Sequence, residues 1–96
     1  MASTGKARTV AALAARKPFK RSGYGMWAME GVSATTGRMD PDAAREYTED
    51  RSNVAYTVLS YATPIAWVLA DGTVKVPDVS YSRTTTQHQT MCRVHL

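Results

Sequence analysis

The stretch from Val54 to Val76, VAYTVLSYATPIAWVLADGTVKV, decides the fold of this 96-residue chain. Val54–Tyr61 is rich in β-branched and aromatic residues, which favour strands. Read as a strand, it sets Val54, Tyr56, Val58 and Ser60 on one face and Ala55, Thr57, Leu59 and Tyr61 on the other. Pro64 cannot donate to a ladder and belongs at a strand start, an edge or a bulge. Ile65–Ala70 reads as a second strand. Asp71-Gly72 between two apolar segments is the sequence of a tight hairpin turn. Thr73–Val76 returns from it as a third strand, and Pro77 ends it. The core is therefore expected to be an antiparallel meander of three strands, or four with the short apolar run Met26–Glu30 at an edge.

Working outward, residues 6–17 read as a helix. Alanine, lysine and arginine are good helix formers, and Ala7, Val10, Ala11 and Ala14 recur at helical spacing. Pro18 stops it, because the residue before a proline avoids helical geometry. Its apolar stripe is thin, so it needs a sheet to lie on. Residues 18–25 read as a basic, glycine-containing link anchored by Phe19 and Tyr24. A second helix is expected over Pro41–Asp50, capped by Asp40, with Ala43, Ala44 and Tyr47 on its apolar side. A last helix follows the polar run after Tyr81 and continues to about Val94. Thr84 with Gln87, or Thr86 with Gln89, has capping-box spacing at its start.

The class is α+β: a small antiparallel sheet of three or four strands, with an N-terminal helix and a C-terminal helix packed on one of its faces. Residues 1–5 are expected to be a flexible tail and residues 6–96 a single compact domain. At this length there is no room for a two-domain enzyme. Hydrophobic residues make up 44% and charged residues 21%, which is globular rather than disordered. The lone Cys92 excludes an internal disulfide and a multi-cysteine zinc knuckle, and suits a reducing compartment. No apolar run approaches the roughly 18 residues of a membrane span, and the N-terminus lacks the pattern of a signal peptide. A cytoplasmic protein without a membrane partner is expected.

The net charge of +4 is unevenly spread. Lys6, Arg8, Arg16, Lys17, Lys20 and Arg21 occur with no acid among them, whereas Glu30–Asp50 carries six acids against Arg38 and Arg45. Arg16, Lys17, Lys20 and Arg21 flank Pro18 and Phe19, with Tyr24 and Trp27 following. Such a run can contact phosphates while an exposed aromatic stacks on a base; the plainer reading is a solvated basic face.

His88, Cys92 and His95 share one helical stripe and are ligand types for zinc. The stripe runs almost to the last residue and has no obvious fourth ligand, so no metal is expected. Cys92 beside a histidine supplies two members of a nucleophilic set, without a pocket on a terminal helix. The phosphate-loop motif is absent. No cofactor and no enzymatic activity are expected. The run Thr84-Thr85-Thr86-Gln87-His88-Gln89 is the most unusual polar segment. It reads as a recognition loop entering a helix or as a hydrogen-bonded scaffold, with Tyr61, Tyr81, Thr84, Thr85, His88 and Gln89 as its cluster.

Ser60-Tyr61-Ala62-Thr63-Pro64-Ile65-Ala66-Trp67 followed by Tyr81-Ser82, Thr84-Thr85 and His88-Gln89 resembles a family of small proteins of bacteriophages that infect actinobacteria such as mycobacteria. The resemblance covers about a third of the chain. It implies a phage or prophage product acting inside the infected cell and supplies no reaction. Cys92 and His95 lie outside the shared pattern.

Two functions follow from these features. One is a non-enzymatic phage accessory protein acting through protein–protein interaction, with a host or phage protein or by self-association. Its anchors would be exposed Trp27, Tyr56 or Tyr61, or a free sheet edge. The alternative is nucleic-acid binding through the basic N-terminal region.

Overall fold

A computed structural model describes residues 2–21, 25–78 and 83–96. The element order is α1 (Ala2–Ala15), β1 (Phe19–Arg21), β2 (Met26–Glu30), α2 (Pro41–Asp50), a 3-10 turn (Arg51–Asn53), β3 (Val54–Ser60), β4 (Thr63–Leu69), β5 (Val74–Lys75) and α3 (Arg83–His95). The strands form one antiparallel meander in the order β1-β2-β3-β4-β5. The α+β class is as expected, but the sheet has five strands rather than three or four. The extra strand is β1, inside the segment expected to be a link. Its ladder partners, Ala28, Trp27 and Met26, belong to β2 and turn a charged tripeptide into an edge strand.

The strand after Asp71-Gly72 forms as expected but is short. Gly72 N–H bonds to the Leu69 carbonyl at 2.9 Å, Leu69 N–H to the Thr73 carbonyl at 2.8 Å, and Gly72 holds φ +93°. The Asp71 carboxylate accepts from Thr73 N–H at 2.9 Å. This is a three-residue connection whose last position needs positive φ, which is why glycine occupies it. At the other end, α1 begins at Ala2, inside the segment expected to be a tail, and stops at Ala15 ahead of Pro18. α3 begins at Arg83, so neither Thr84 nor Thr86 is its N-cap and neither expected capping box is made.

Helices cover both faces of the sheet, not one. Val68 and Trp67 are neighbours in β4 and so point to opposite faces. On the first face Val68 lies with Met26, Ala28, Tyr56, Val58 and Ala66, covered by Leu13 of α1 and Cys92 of α3. On the second face Trp67 lies with Ala43 and Tyr47 of α2, Met39 and Val54. The reason is in β3 and β4, which are buried almost without alternation; such strands must be roofed twice. Val54 joins the second face although Tyr56 lies on the first. A register shift between Val54 and Tyr56 inserts Ala55 and breaks the expected alternation.

α2 starts as expected. The Asp40 carboxylate accepts from the N–H groups of Asp42 at 3.1 Å and Ala43 at 3.4 Å, and Pro41 opens the helix. The Tyr47 ring meets the Trp67 ring edge-on, with centroids 4.9 Å apart. The Tyr47 hydroxyl accepts from Ser33 N–H at 2.7 Å and lies 2.8 Å from Thr57 Oγ1, which donates to the Gly31 carbonyl at 2.8 Å. Because the threonine proton goes to Gly31, the tyrosine is the donor in the pair.

Beyond Trp67, Asp50 Oδ2 accepts from the indole N–H at 2.9 Å and from Lys75 Nζ at 2.7 Å, and Lys75 also meets Glu46 at 3.0 Å. The Lys75 hydrogen bond, aided by the indole, holds the Asp50 carboxyl below its ordinary pKa of 3.8 against the opposing effect of burial. Asp50→Ala, which takes the acceptor away from both donors, is expected to cost about 1–3 kcal/mol in urea unfolding. Asp50→Asn retains an oxygen for the indole and should cost less. A carboxylate with a depressed folded pKa stabilises above its unfolded value and loses that contribution as pH falls through the folded one. The gap between wild type and Asp50→Asn should therefore be present at about pH 7 and shrink at about pH 3.

Candidate functional site

The turn between β3 and β4 is fixed by several hydrogen bonds to its backbone and side chains. Ser60 pairs with Thr63, leaving Tyr61 and Ala62 as a two-residue loop. Tyr61 holds φ +57°, a region that side chains other than glycine and asparagine rarely adopt. It is held there from both sides of its own backbone. Its N–H bonds to the Gly25 carbonyl, and its carbonyl accepts from the Trp27 indole at 2.6 Å. The Tyr61 ring lies where a side chain on Gly25 would stand. The residue is nevertheless 61% exposed. Exposure, positive φ and two fixed backbone bonds together describe an aromatic presented to solvent.

A cleft of about 540 Å³ opens beside it, between Gly37-Arg38, the turn from Ser60 to Thr63, and Thr85 of α3. Its size falls in the range of about 300–1,000 Å³ typical of ligand pockets. Arg38 N–H donates to Thr63 Oγ1 at 2.8 Å, which fastens the preceding loop to the turn. Gly37 has φ +51°, and a Cβ there would overlap the Ala62 carbonyl and the Thr63 hydroxyl.

The floor of the cleft is a polar tie between β3 and α3. Ser60 Oγ lies 3.0 Å from Thr85 Oγ1 and 2.9 Å from His88 Nδ1. All three residues are buried. A serine hydroxyl within reach of an imidazole is the start of a nucleophile–base pair, but here the hydroxyl is shared with Thr85 and only 2% of Ser60 is exposed. The tie holds the first two turns of α3 on the end of the sheet. Gln89 does not join it; its amide donates to the Pro77 carbonyl at 3.1 Å.

Of the cluster expected from the sequence, the fold thus brings Thr85 and His88 together through Ser60, sets Tyr61 outside the tie at the cleft rim, and turns Gln89 to the next loop. Thr84 lies in the first turn of α3, and Tyr81 lies outside the described residues. Ser60, Gly37 and Arg38 went unrecognised. Ser60 enters the sequence reading only as a strand residue sharing a face with Val54, Tyr56 and Val58 and as the first residue of the resembling pattern.

Arg16 and Lys17 of the basic run are tied to other parts of the fold. Arg16, in the left-handed region at φ +54°, donates to the Leu96 carbonyl at 3.3 Å. Lys17 is exposed, and its carbonyl accepts from the Tyr56 hydroxyl at 2.8 Å. Lys20 pairs with Trp27 and Arg21 with Met26. The side chain of Arg21 lies outside the described residues. The expected anchors divide: Tyr56 is 2% exposed and belongs to the core, Trp27 is half-buried, and Tyr61 is open to solvent. Burial pushes the Tyr56 phenol well above its ordinary pKa.

Cys92 is buried, and burial pushes its thiol up to about 12, so at neutral pH it is a packed thiol. Among the described residues no three His, Cys, Asp or Glu side chains stand close enough to hold a metal ion. No helix among them is long and apolar enough to cross a membrane.

Gly37→Ala is expected to cost about 1–3 kcal/mol, because the methyl group meets backbone rather than a movable side chain. A thermal melt read by circular dichroism checks it.

No curated protein and no solved structure matches the chain. The family of unknown function DUF8033 matches residues 42–92, which run from the first turn of α2 through the Tyr61 turn and the Ser60–Thr85–His88 tie to Cys92 of α3, and the chain belongs to that family.

Proposed function

We propose that the protein is a non-enzymatic interaction module that docks a protein partner on the Tyr61 corner and its cleft. The observation that carries this reading is the Tyr61 backbone. A left-handed conformation costs roughly 1–2 kcal/mol for a residue with a side chain, and such residues cluster at sites where strain serves function. A hidden tyrosine would recover that cost in burial; this one is 61% exposed. Aromatics held rigid at a surface are typical anchors of protein interfaces.

The alternative through the sheet edges is weaker. β1 has three residues, two of them basic, and β5 has two followed shortly by Pro77. Short, charged and proline-flanked edges discourage pairing with another strand. Nucleic-acid binding through Arg16, Lys17, Lys20 and Arg21 is less favoured, because Arg16 is turned to the Leu96 carbonyl. The resemblance of the Ser60–Trp67 and Tyr81–Gln89 segments to small actinobacteriophage proteins adds a setting: an accessory protein working in the cytoplasm of an infected bacterium.

The test is a photo-cross-linking residue, benzoylphenylalanine, placed at Tyr61 and, as a control, at the equally exposed Val94. Irradiation of producing cells is expected to give discrete protein adducts from position 61 and none from 94. Absence of adducts at 61, or adducts that nuclease removes, would overturn the proposal.

A further inference from the structure

We infer that the segment received at this corner is acidic: a glutamate or aspartate side chain of the partner enters the cleft and pairs with Arg38, while an apolar neighbour in the same segment packs on Tyr61. The inference rests on the interaction reading above and names the chemistry of the partner.

Charge sets the sign. Among the described residues lining the cleft, Arg38 alone is charged and no acid stands beside it. The other paired cations have their anions within the chain. Lys75 is held by Glu46 at 3.0 Å and by Asp50 at 2.7 Å, Arg45 meets Asp42 at 3.8 Å, and Arg93 meets Asp78 at 3.9 Å. Arg38 is exposed and enters no ion pair with a described residue.

The backbone beneath Arg38 is fixed. Gly37 N–H donates to Thr35 Oγ1 at 3.1 Å, Arg38 N–H to Thr63 Oγ1 at 2.8 Å, and Met39 N–H to the Thr36 carbonyl at 3.0 Å. The Met39 side chain is itself buried on the Trp67 face. Three consecutive N–H groups are thus satisfied, and the next side chain is anchored in the core. An arginine rising from such a backbone has less freedom to lose on binding than one on a loose loop.

The number of charges names the anion. A guanidinium and a carboxylate match one to one through a forked pair of hydrogen bonds. A phosphate ester carries a charge of about −1.5 to −2 and is received by clusters of arginines, which the described lining does not offer. At about 540 Å³ the cleft also exceeds what a single carboxylate fills, and Tyr61 and Ala62 offer apolar surface to the residues on either side of it. An acidic side chain with apolar neighbours is the complement of that lining.

The experiment titrates the isotope-labelled full chain with short peptides and follows its amide resonances by NMR. The probe is Leu-Glu-Leu-Ala, acetylated and amidated so that the glutamate is its one charge. Saturable shifts are expected at Gly37, Arg38, Ala62 and Thr63. The Leu-Gln-Leu-Ala peptide should bind about tenfold or more weakly, the size of effect seen for close interfacial charge pairs. Arg38→Gln, which keeps the backbone N–H bond to Thr63, should lose as much for the glutamate peptide, and Arg38→Lys should fall between, keeping the charge without the fork. Circular dichroism confirms that each variant is folded.

The inference is overturned by wild type that shows no saturable shifts, by equal binding of the glutamate and glutamine peptides, or by indifference to Arg38→Gln. Tighter binding of a phosphoserine peptide, or of the glutamine peptide with a free C-terminal carboxylate, would overturn it by naming another anion. Cross-linking separates these failures from failure of the broader reading. Adducts at position 61 that persist unchanged in Arg38→Gln leave an interaction module standing and remove the acidic segment; absence of adducts removes the module itself.

Discussion

Trp67 sits with no exposed surface at the centre of a strand whose next residue, Val68, is buried on the opposite face. That double burial is the constraint on which the rest depends. A sheet apolar on both sides cannot be finished by its own hairpins, so α2 is required on the Trp67 face and α1 with α3 on the Val68 face. Each roof then needs its polar groups answered. On the Trp67 face, Tyr47 reaches through to Thr57 and Gly31, while Asp50 receives the indole N–H. On the other, the Ser60 hydroxyl receives the start of α3. Unanswered, each of these buried groups would cost on the order of 1–3 kcal/mol. The polar ties are thus consequences of burying Trp67 and Val68 rather than additions to it.

The same constraint shapes the surface. With both faces roofed, the chain offers a partner the short edges and the ends of the sheet. The edges are β1 and β5, both brief. At the end where β3 turns into β4, the loop at Gly37, the turn and the start of α3 leave the cleft. Tyr61 stands there because the Trp27 indole and the Gly25 carbonyl hold its backbone, and those groups come from β2 and the residue before it. The corner is therefore built by the sheet, on a rigid part of the molecule.

Much of this was legible in the sequence where the signal is local. Asp71-Gly72 marks its turn through glycine's tolerance of positive φ. Asp40-Pro41 marks the start of α2, and Pro18 the end of α1. The near-continuous apolar character of Val54–Leu59 and Ile65–Leu69 also held the evidence for two roofs, but reading Val54–Tyr61 as a regular alternation hid it. What stayed hidden is long-range. Phe19–Arg21 becomes a strand only because β2 lies beside it. Ser60 finds its partners 25 and 28 residues later in the chain, and nothing about a serine in an apolar strand announces them. Tyr61 is an unusual residue for its turn position, so turn chemistry gives no hint of its backbone. The exposures of Trp27, Tyr56 and Tyr61 follow from packing that aromatic content does not specify.

The pairing order has a kinetic meaning. In a meander every strand meets its neighbour in sequence, so the sheet can assemble through loop closures that are individually short, and such topologies fold quickly. α2, inserted between β2 and β3, closes the Trp67 face from within the same run. The Val68 face is different: α1 packs against α3, and Arg16 reaches the carbonyl of Leu96, a separation of 80 residues. That face can be sealed only when α1 and α3 meet. Synthesis on the ribosome delivers α3 after all five strands, so the nascent chain carries Met26, Tyr56, Val58 and Val68 incompletely covered until α3 emerges.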